Sequence, residues 1–417
     1  MTPAPAPGPA SLEPVPDGSV TSARGFTAAA APAGLKADGA VDVALLVSTT
    51  SCATAGVFTK NAVRAAPVVY DADLLAERPG RIRAVAMNAR VANACTGPEG
   101  LAAARTMAQA AEQAAALPPR TALVLSTGVI GVPLPVAQIA KALREAAARL
   151  TPLGGVEAAR AIMTTDTRPK HCAARVETPA GIVTVGGIAK GAGMIHPDMA
   201  TLLAVLTTDA VAEPAALQPL LRRVADRSFN AISVDGDTST NDTALLLANG
   251  ASGVDPARDG AVWTLFEAAV LHVARTLALA IVLDGEGASK LVEIQVVGAV
   301  SEAAAREVGR AIARSALVKT AVYGADPNWG RILAAAGAAG VALATDRLTL
   351  QAAANGEWLT LAERGATAHP DPERARAIFR QKNIRLRIDL GLGRAEAMVW
   401  TCDLTPDYVR INADYTS

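Results

Sequence analysis

In Lys190-Gly-Ala-Gly-Met-Ile-His-Pro-Asp-Met-Ala-Thr201, a glycine-rich turn leads to a small-residue junction, Ala200-Thr201, at the head of the apolar run 202–206. An internal threonine hydroxyl with no base beside it is a poor nucleophile. Cleavage on its amino side would give Thr201 a free α-amine of pKa about 8, suited to take the hydroxyl proton. The uncut hydroxyl could itself attack the Ala200 carbonyl in an N-to-O acyl shift, with Gly191 and Gly193 giving the preceding backbone the freedom for a strained approach. The pattern suggests a self-processing enzyme. The plainer reading of the tetrapeptide 190–193 taken alone is a polar turn, with Thr201 an ordinary strand residue.

A second chemical element is Ser126-Thr127-Gly128-Val129, which follows the strand-like apolar run 121–125. A small-residue turn at a strand end can expose backbone N–H groups and a hydroxyl. Acyl transfer passes through a tetrahedral oxyanion, for which fixed donors are worth about 3–4 kcal/mol apiece; taken alone, the same tripeptide is an ordinary turn. In Asp235-Gly-Asp-Thr-Ser-Thr-Asn-Asp242, alternate aspartates and a glycine suggest a calcium loop. The glycine is second rather than sixth, however, and Leu246 stands where a twelfth-position glutamate belongs. A structural, hydroxyl- and carboxylate-rich loop near the site fits better, and the proposed chemistry needs no metal. His171, His196, His272 and His369 form no ligand pair. His196, five residues before Thr201, either tunes it or is a turn histidine with a local hydrogen bond.

These blocks, with Met163-Thr-Thr-Asp-Thr167, Asp284-Gly-Glu-Gly287, Asp326-Pro-Asn-Trp-Gly-Arg331 and Trp400-Thr-Cys-Asp-Leu404, resemble the ornithine acetyltransferase (glutamate N-acetyltransferase, ArgJ) family in order and over nearly the whole chain. The resemblance implies an α+β fold, a layered α/β/β/α-type sandwich of the ArgJ/DmpA-like, N-terminal-nucleophile kind. It implies self-cleavage between Ala200 and Thr201 into an alpha chain (24–200) and a beta chain (201–417) that stay associated, two copies of each forming a heterotetramer. Thr201 would take acetyl from N2-acetyl-L-ornithine and pass it to L-glutamate by a ping-pong route, and some members also accept acetyl-CoA. The family's oxyanion hole falls on Thr127 and Gly128. Its substrate-binding positions fall on Thr164, Lys190, Thr201, Glu286, Asn412 and Ser417. Lys190 suits an α-carboxylate, Glu286 a cationic amine, and Asn412 with Ser417 neutral hydrogen bonds. The block 326–331 reads as a scaffold loop, with Trp329 packed and Arg331 paired. Ser289 stands where the family more often has threonine. The competing readings are an amidase or aminopeptidase with water as acceptor, an acetyltransferase paralogue of secondary metabolism, and a non-enzymic binding protein.

Elements to hold these residues are legible in the pattern. Apolar residues alternate with polar ones over 290–296 and 384–390, as in half-buried strands. Asn355-Gly356 between two such runs is a hairpin signal. Alanine-rich stretches at 101–117, 135–150 and 302–315 predict helices. The apolar stretch 268–283 carries His272 and Arg275 and is shorter than the ~20 residues of a membrane span, so no transmembrane segment is expected.

Composition sets the outer limits. The chain has 417 residues, 51% hydrophobic and 19% charged, enough to bury one or two sizeable cores. Lysine plus arginine (39) balances aspartate plus glutamate (39), which argues against a polyanion or acidic membrane surface as partner. Four scattered cysteines point to free, mostly buried thiols in a reducing, cytoplasmic setting. The Ala/Pro-rich start lacks the basic and apolar regions of a secretory signal and reads as a disordered extension over 1–23.

Overall fold

The computed structural model describes residues 11–196 and 202–414. A 16-residue strand, Val43–Phe58, passes through two sheets and joins them. Its first half pairs antiparallel with Phe26–Ala31 and Ile82–Asn88, and the latter pairs parallel with Ala122–Ser126. Its second half pairs with Thr243–Ala248, from which the ladder runs through Leu203–Thr208, Gly181–Lys190 and Lys170–Thr178 to Ser11–Val15 at the edge. Between Val47 and Cys52 the register shifts, the kind of irregularity that lets one strand turn from one sheet into another.

The two sheets face each other, because a strand's side chains alternate between its faces. One shared core holds Leu46, Val85, Met87, Leu123 and Leu125 from the first, and Ile188, Leu203, Val205, Leu245 and Leu247 from the second. On the outer face of the first sheet, Leu45, Ala84, Ala86 and Val124 pack with helices Gly97–Ala114 and Val136–Ala147. On the outer face of the second, Val183, Val185, Leu206 and Leu246 pack with helices Pro214–Asp226 and Gly260–Leu283. The order is helix, sheet, sheet, helix, which is the α+β, α/β/β/α sandwich expected from the sequence.

Helix Gly260–Leu283 is long and apolar enough to cross a membrane by length and composition. Its residues Phe266, Val270, Val273, Leu277 and Ile281, at helical spacing, are instead buried in the sandwich core. A further seven-stranded sheet, centred on Leu291–Ala299 and Asn383–Asp389, carries helix Glu302–Ala313 and its neighbours in a core of its own. Its hairpin turns at Asn355 (φ 56°) and Gly356 (φ 107°), left-handed at both central residues as a primed turn requires. In the block 326–331, Trp329 packs against this core and an Arg331 guanidinium N–H donates to the Leu317 carbonyl at 3.1 Å.

The start of the chain corrects the expectation of disorder over 1–23, in its described part. Ser11–Val15 is an edge strand on Lys170–Thr178, and Val20 and Ala23 are buried. An edge strand tolerates Pro14, whose missing N–H need not serve a ladder, and its partner lies some 160 residues away, beyond the reach of a compositional reading. All four cysteines are unpaired; Cys52 and Cys402 are buried, and Cys95 is exposed.

Candidate active site

Lys190 is the last residue of strand Gly181–Lys190 and lies opposite Leu203. Leu203 in turn lies opposite Thr243, whose N–H donates to the Leu202 carbonyl at 3.0 Å. The chain therefore resumes after the Ala200-Thr201 junction between a strand that ends in Lys190 and one preceded by the loop 235–242. At this edge is a cavity of about 110 Å³, whose lining includes Thr127, Gly128, Thr164, Lys190, Glu286 and Asn412. Those are six of the residues singled out from sequence. Ala200, Thr201 and Ser417 lie outside the described residues. Ala92, Ile130, Thr165, Gly193, Met194, Ser239, Thr240 and Asn241 complete the lining.

The turn 126–129 is fixed by backbone bonds on both sides. The Thr127 N–H donates to the Asn88 carbonyl (3.1 Å) and the Val129 N–H to the Arg90 carbonyl (3.0 Å), while the Gly128 N–H takes no acceptor among the described residues. Gly128 has φ 136°, and a Cβ there would lie 2.0 Å from the Arg90 carbonyl carbon, so only glycine fits. The facing loop is unusual too, with Arg90, Asn93 and Cys95 all at positive φ. The Lys190 Nζ donates to the Thr127 hydroxyl at 3.2 Å. That leaves the hydroxyl proton of Thr127 to point elsewhere, and Thr127 and Gly128 both line the cavity.

Beneath the cavity is a buried ion cluster. Lys170 Nζ donates to Asp166 Oδ1 and Asp284 Oδ2, both at 2.6 Å. Asp166 also accepts from the backbone N–H groups of Gly191 (2.7 Å) and Thr164 (3.0 Å), tying two cavity walls together. Asp284 accepts from the Thr167 N–H at 3.0 Å and from its hydroxyl. Burial opposes the charge on Asp166, but Lys190 and Lys170 outweigh it and hold the pKa at about 2. Burial lowers the Lys190 pKa, opposed chiefly by Asp166. Asp242 and Glu286 also act on Lys190, each favouring its charged form.

Glu286 is buried, its N–H donates to the Ala192 carbonyl at 2.9 Å, and its Oε2 accepts from Asn412 Nδ2 at 2.7 Å. Gly193 leaves room for its carboxylate: a Cβ there would lie 2.4 Å from the carboxylate carbon. Asp235 accepts from the Met194 and Ile195 N–H groups at 2.5 and 2.8 Å and so anchors the chain leading to the junction; burial raises its pKa. Met194, at φ 57°, is left-handed. His196 is buried, with Nδ1 3.0 Å from the Ser233 hydroxyl and Nε2 3.1 Å from an Arg310 guanidinium nitrogen. Both ring nitrogens are thus engaged by distant elements, a bracing role wider than a local turn contact.

Sequence reading missed Asp166, Lys170, Asp284 and Asn241. All but Lys170 stood inside quoted blocks, yet nothing in the linear chain shows that Lys170 meets a residue 114 positions away. Ser239, Thr240 and Asn241 belong to the loop expected near the site, and they line the cavity.

The profile of the ArgJ family matches residues 27–417. The arginine biosynthesis bifunctional protein ArgJ of Symbiobacterium thermophilum is 47% identical over 404 residues, covering 95% of this chain and 98% of its own. The protein of the same name from Thermosynechococcus vestitus is 45% identical over 416 residues, covering 96% and 98%. Among solved structures, ornithine acetyltransferase complexed with ornithine from Mycobacterium tuberculosis is 37% identical, covers 46% of this chain and 100% of that one, and superposes with a TM-score of 0.41.

Proposed function

The chain belongs to the ArgJ family, and from that premise we propose that it is a glutamate N-acetyltransferase of arginine biosynthesis that moves acetyl from N2-acetyl-L-ornithine to L-glutamate through an acetyl-threonine. The observation that carries this reading is the convergence of Thr127, Gly128, Thr164, Lys190, Glu286 and Asn412 on one cavity beside the strand that resumes at Leu203.

In the self-cleavage, the Thr201 hydroxyl attacks the Ala200 carbonyl, the peptide nitrogen leaves, and water hydrolyses the ester. The products are an alpha chain ending in the Ala200 carboxylate and a beta chain beginning with the Thr201 amine. In the transfer, that amine takes the hydroxyl proton as the oxygen attacks the acetyl carbonyl. The tetrahedral oxyanion accepts from the Gly128 N–H and the Thr127 hydroxyl, which Lys190 orients by donating to it. Ornithine departs with the proton on its amine. The neutral α-amine of glutamate then attacks the acetyl ester, N-acetylglutamate forms, and the threonine hydroxyl is restored.

Lys190 meets the α-carboxylate common to both amino acids, Glu286 meets the ornithine ammonium, and Asn412 with Ser417 supplies neutral hydrogen bonds. One pocket serves donor and acceptor in turn, and no dissociable cofactor enters the scheme. The family arrangement of two alpha and two beta chains is carried over with the mechanism, and native mass measurement checks it.

The testing experiment follows ornithine release from N2-acetylornithine with and without glutamate, with acetyl-CoA offered in parallel as donor. Sustained release only with glutamate, with N-acetylglutamate formed, supports the transferase. Equal release without glutamate makes the protein a hydrolase and overturns the proposal.

A further inference from the structure

Asn241 is buried, yet its side chain borders the cavity. Its amide spends both N–H bonds on main-chain carbonyls of the other half of the chain: Nδ2 donates to the Ala92 carbonyl at 2.6 Å and to the Ser126 carbonyl at 2.9 Å. These carbonyls flank the isolated antiparallel bridge between Val91 and Thr127, the contact that sets the turn 126–129 against the loop 90–95. The amide oxygen is held as well, accepting from the Thr240 hydroxyl at 2.6 Å, and the Asn241 N–H donates to the Ser239 hydroxyl at 3.1 Å. The side chain therefore has one orientation, which no hydroxyl or carboxylate could reproduce: two donors aimed at two carbonyls, with an acceptor behind.

The Ser126 carbonyl belongs to the peptide unit that carries the Thr127 nitrogen. Pinning it fixes the peptide plane that leads into Thr127, and the Gly128 N–H follows in the next plane, whose far side is held by the Val129 N–H on the Arg90 carbonyl. The other side of that peptide is already fixed by the Thr127 N–H on the Asn88 carbonyl, and the Ser126 hydroxyl donates to Asn88 Oδ1 at 2.7 Å. Asn241 is the one contact of this set that comes from beyond the Ala200-Thr201 junction. It stands two residues before Thr243, as Thr201 stands two before Leu203, and Thr243 and Leu203 are register partners.

We propose that Asn241 is a positioning residue for acyl transfer: its amide locks the turn carrying Thr127 and Gly128 to the head of strand Thr243–Ala248, the register partner of the strand that follows the proposed nucleophile. The proposal rests on the acyl-transfer reading above. A donor that is loosened still binds substrate but loses part of the 10²–10³-fold that a fixed oxyanion donor contributes to kcat. Substrate contacts through Lys190, Glu286 and Asn412 do not pass through Asn241, so KM is the internal control.

The test compares wild type with N241A and N241D, full-length, with rates expressed per cleaved chain and melting temperatures measured alongside. N241D retains the volume and serves if N241A stays uncut. The expected result is a kcat lower by roughly tenfold to hundredfold, with donor and acceptor KM within threefold of wild type. A kcat within twofold of wild type, or a fall in kcat matched by a rise in KM, overturns the positioning role. A wild-type protein that transfers no acetyl group overturns the functional reading itself, so the two failures are told apart by the control.

Discussion

Replacing Gly193 with alanine places a methyl group 2.4 Å from the carboxylate carbon of Glu286 and 2.4–2.5 Å from its oxygens. An ordinary carbon–oxygen contact is about 3.3 Å or longer, so something must yield by about 0.9 Å. The Gly193 backbone is not in the left-handed region, and Glu286 is tied at its own N–H to the Ala192 carbonyl, so the side-chain carboxylate is the part free to move. A displacement of that size along the Asn412 bond stretches it from 2.7 Å to about 3.6 Å, where no hydrogen bond remains. The same movement takes the carboxylate off the position proposed for the substrate ammonium. Losing the proposed charge-assisted hydrogen bond between that carboxylate and the substrate ammonium costs about 1.5–3 kcal/mol, which raises the KM for N2-acetylornithine roughly tenfold to hundredfold. Folding should lose no more than the Asn412 bond, about 1.5–3 kcal/mol, offset in part by the about 0.4–1 kcal/mol that glycine to alanine at a compatible backbone contributes through the unfolded chain. Steady-state kinetics and a thermal melt on G193A check both halves. An unchanged KM refutes the placement of Glu286 at the donor, and a collapsed melting temperature refutes the claim that the side chain yields rather than the backbone.

Thr127→Val removes one oxyanion donor and should lower kcat by roughly 10²–10³ with little change in KM; a kcat within fivefold would take the hydroxyl out of the mechanism. Asp166 is held at a pKa of about 2 against an ordinary 3.8. Its stabilisation is thus complete above about pH 4 and is lost as pH falls toward 2. The gap in urea stability between wild type and D166N should be level from pH 7 to 5 and narrow below pH 4, by about 2 kcal/mol in full. A gap independent of pH would contradict the paired state of this carboxylate. Thr201→Ala should migrate as one uncut chain and transfer no acetyl; two chains with activity would disprove the nucleophile.

Local periodicity carried the strands at 291–299 and 383–389, the Asn355-Gly356 hairpin and the alanine-rich helices, because each depends on neighbours within a few residues. Sheet order did not follow from it: the parallel pairing of Leu203–Thr208 with Thr243–Ala248 and the joining of two sheets by Val43–Phe58 rest on contacts between distant segments. The site divides along the same line. Thr127, Gly128, Lys190 and Glu286 were singled out through the family resemblance, since the turns that carry them are ordinary when taken alone, and the fold brings them to one cavity. The cluster of Asp166, Lys170 and Asp284, and the reach of Asn241 to Ala92 and Ser126, were not, since a buried charge or amide looks like any solvated one until its partners are in place. Ser11–Val15 was misread for the same reason, as a strand supplied with order by its partner rather than by its composition.

Whether Thr201 carries the acetyl group is decided by intact-mass analysis after incubation with N2-acetylornithine alone. Two chains, 1–200 and 201–417, are expected, with the second heavier by one acetyl group located on Thr201, and loss of that group on adding glutamate. A single uncut chain, or an acetyl group on any other residue, would contradict that assignment.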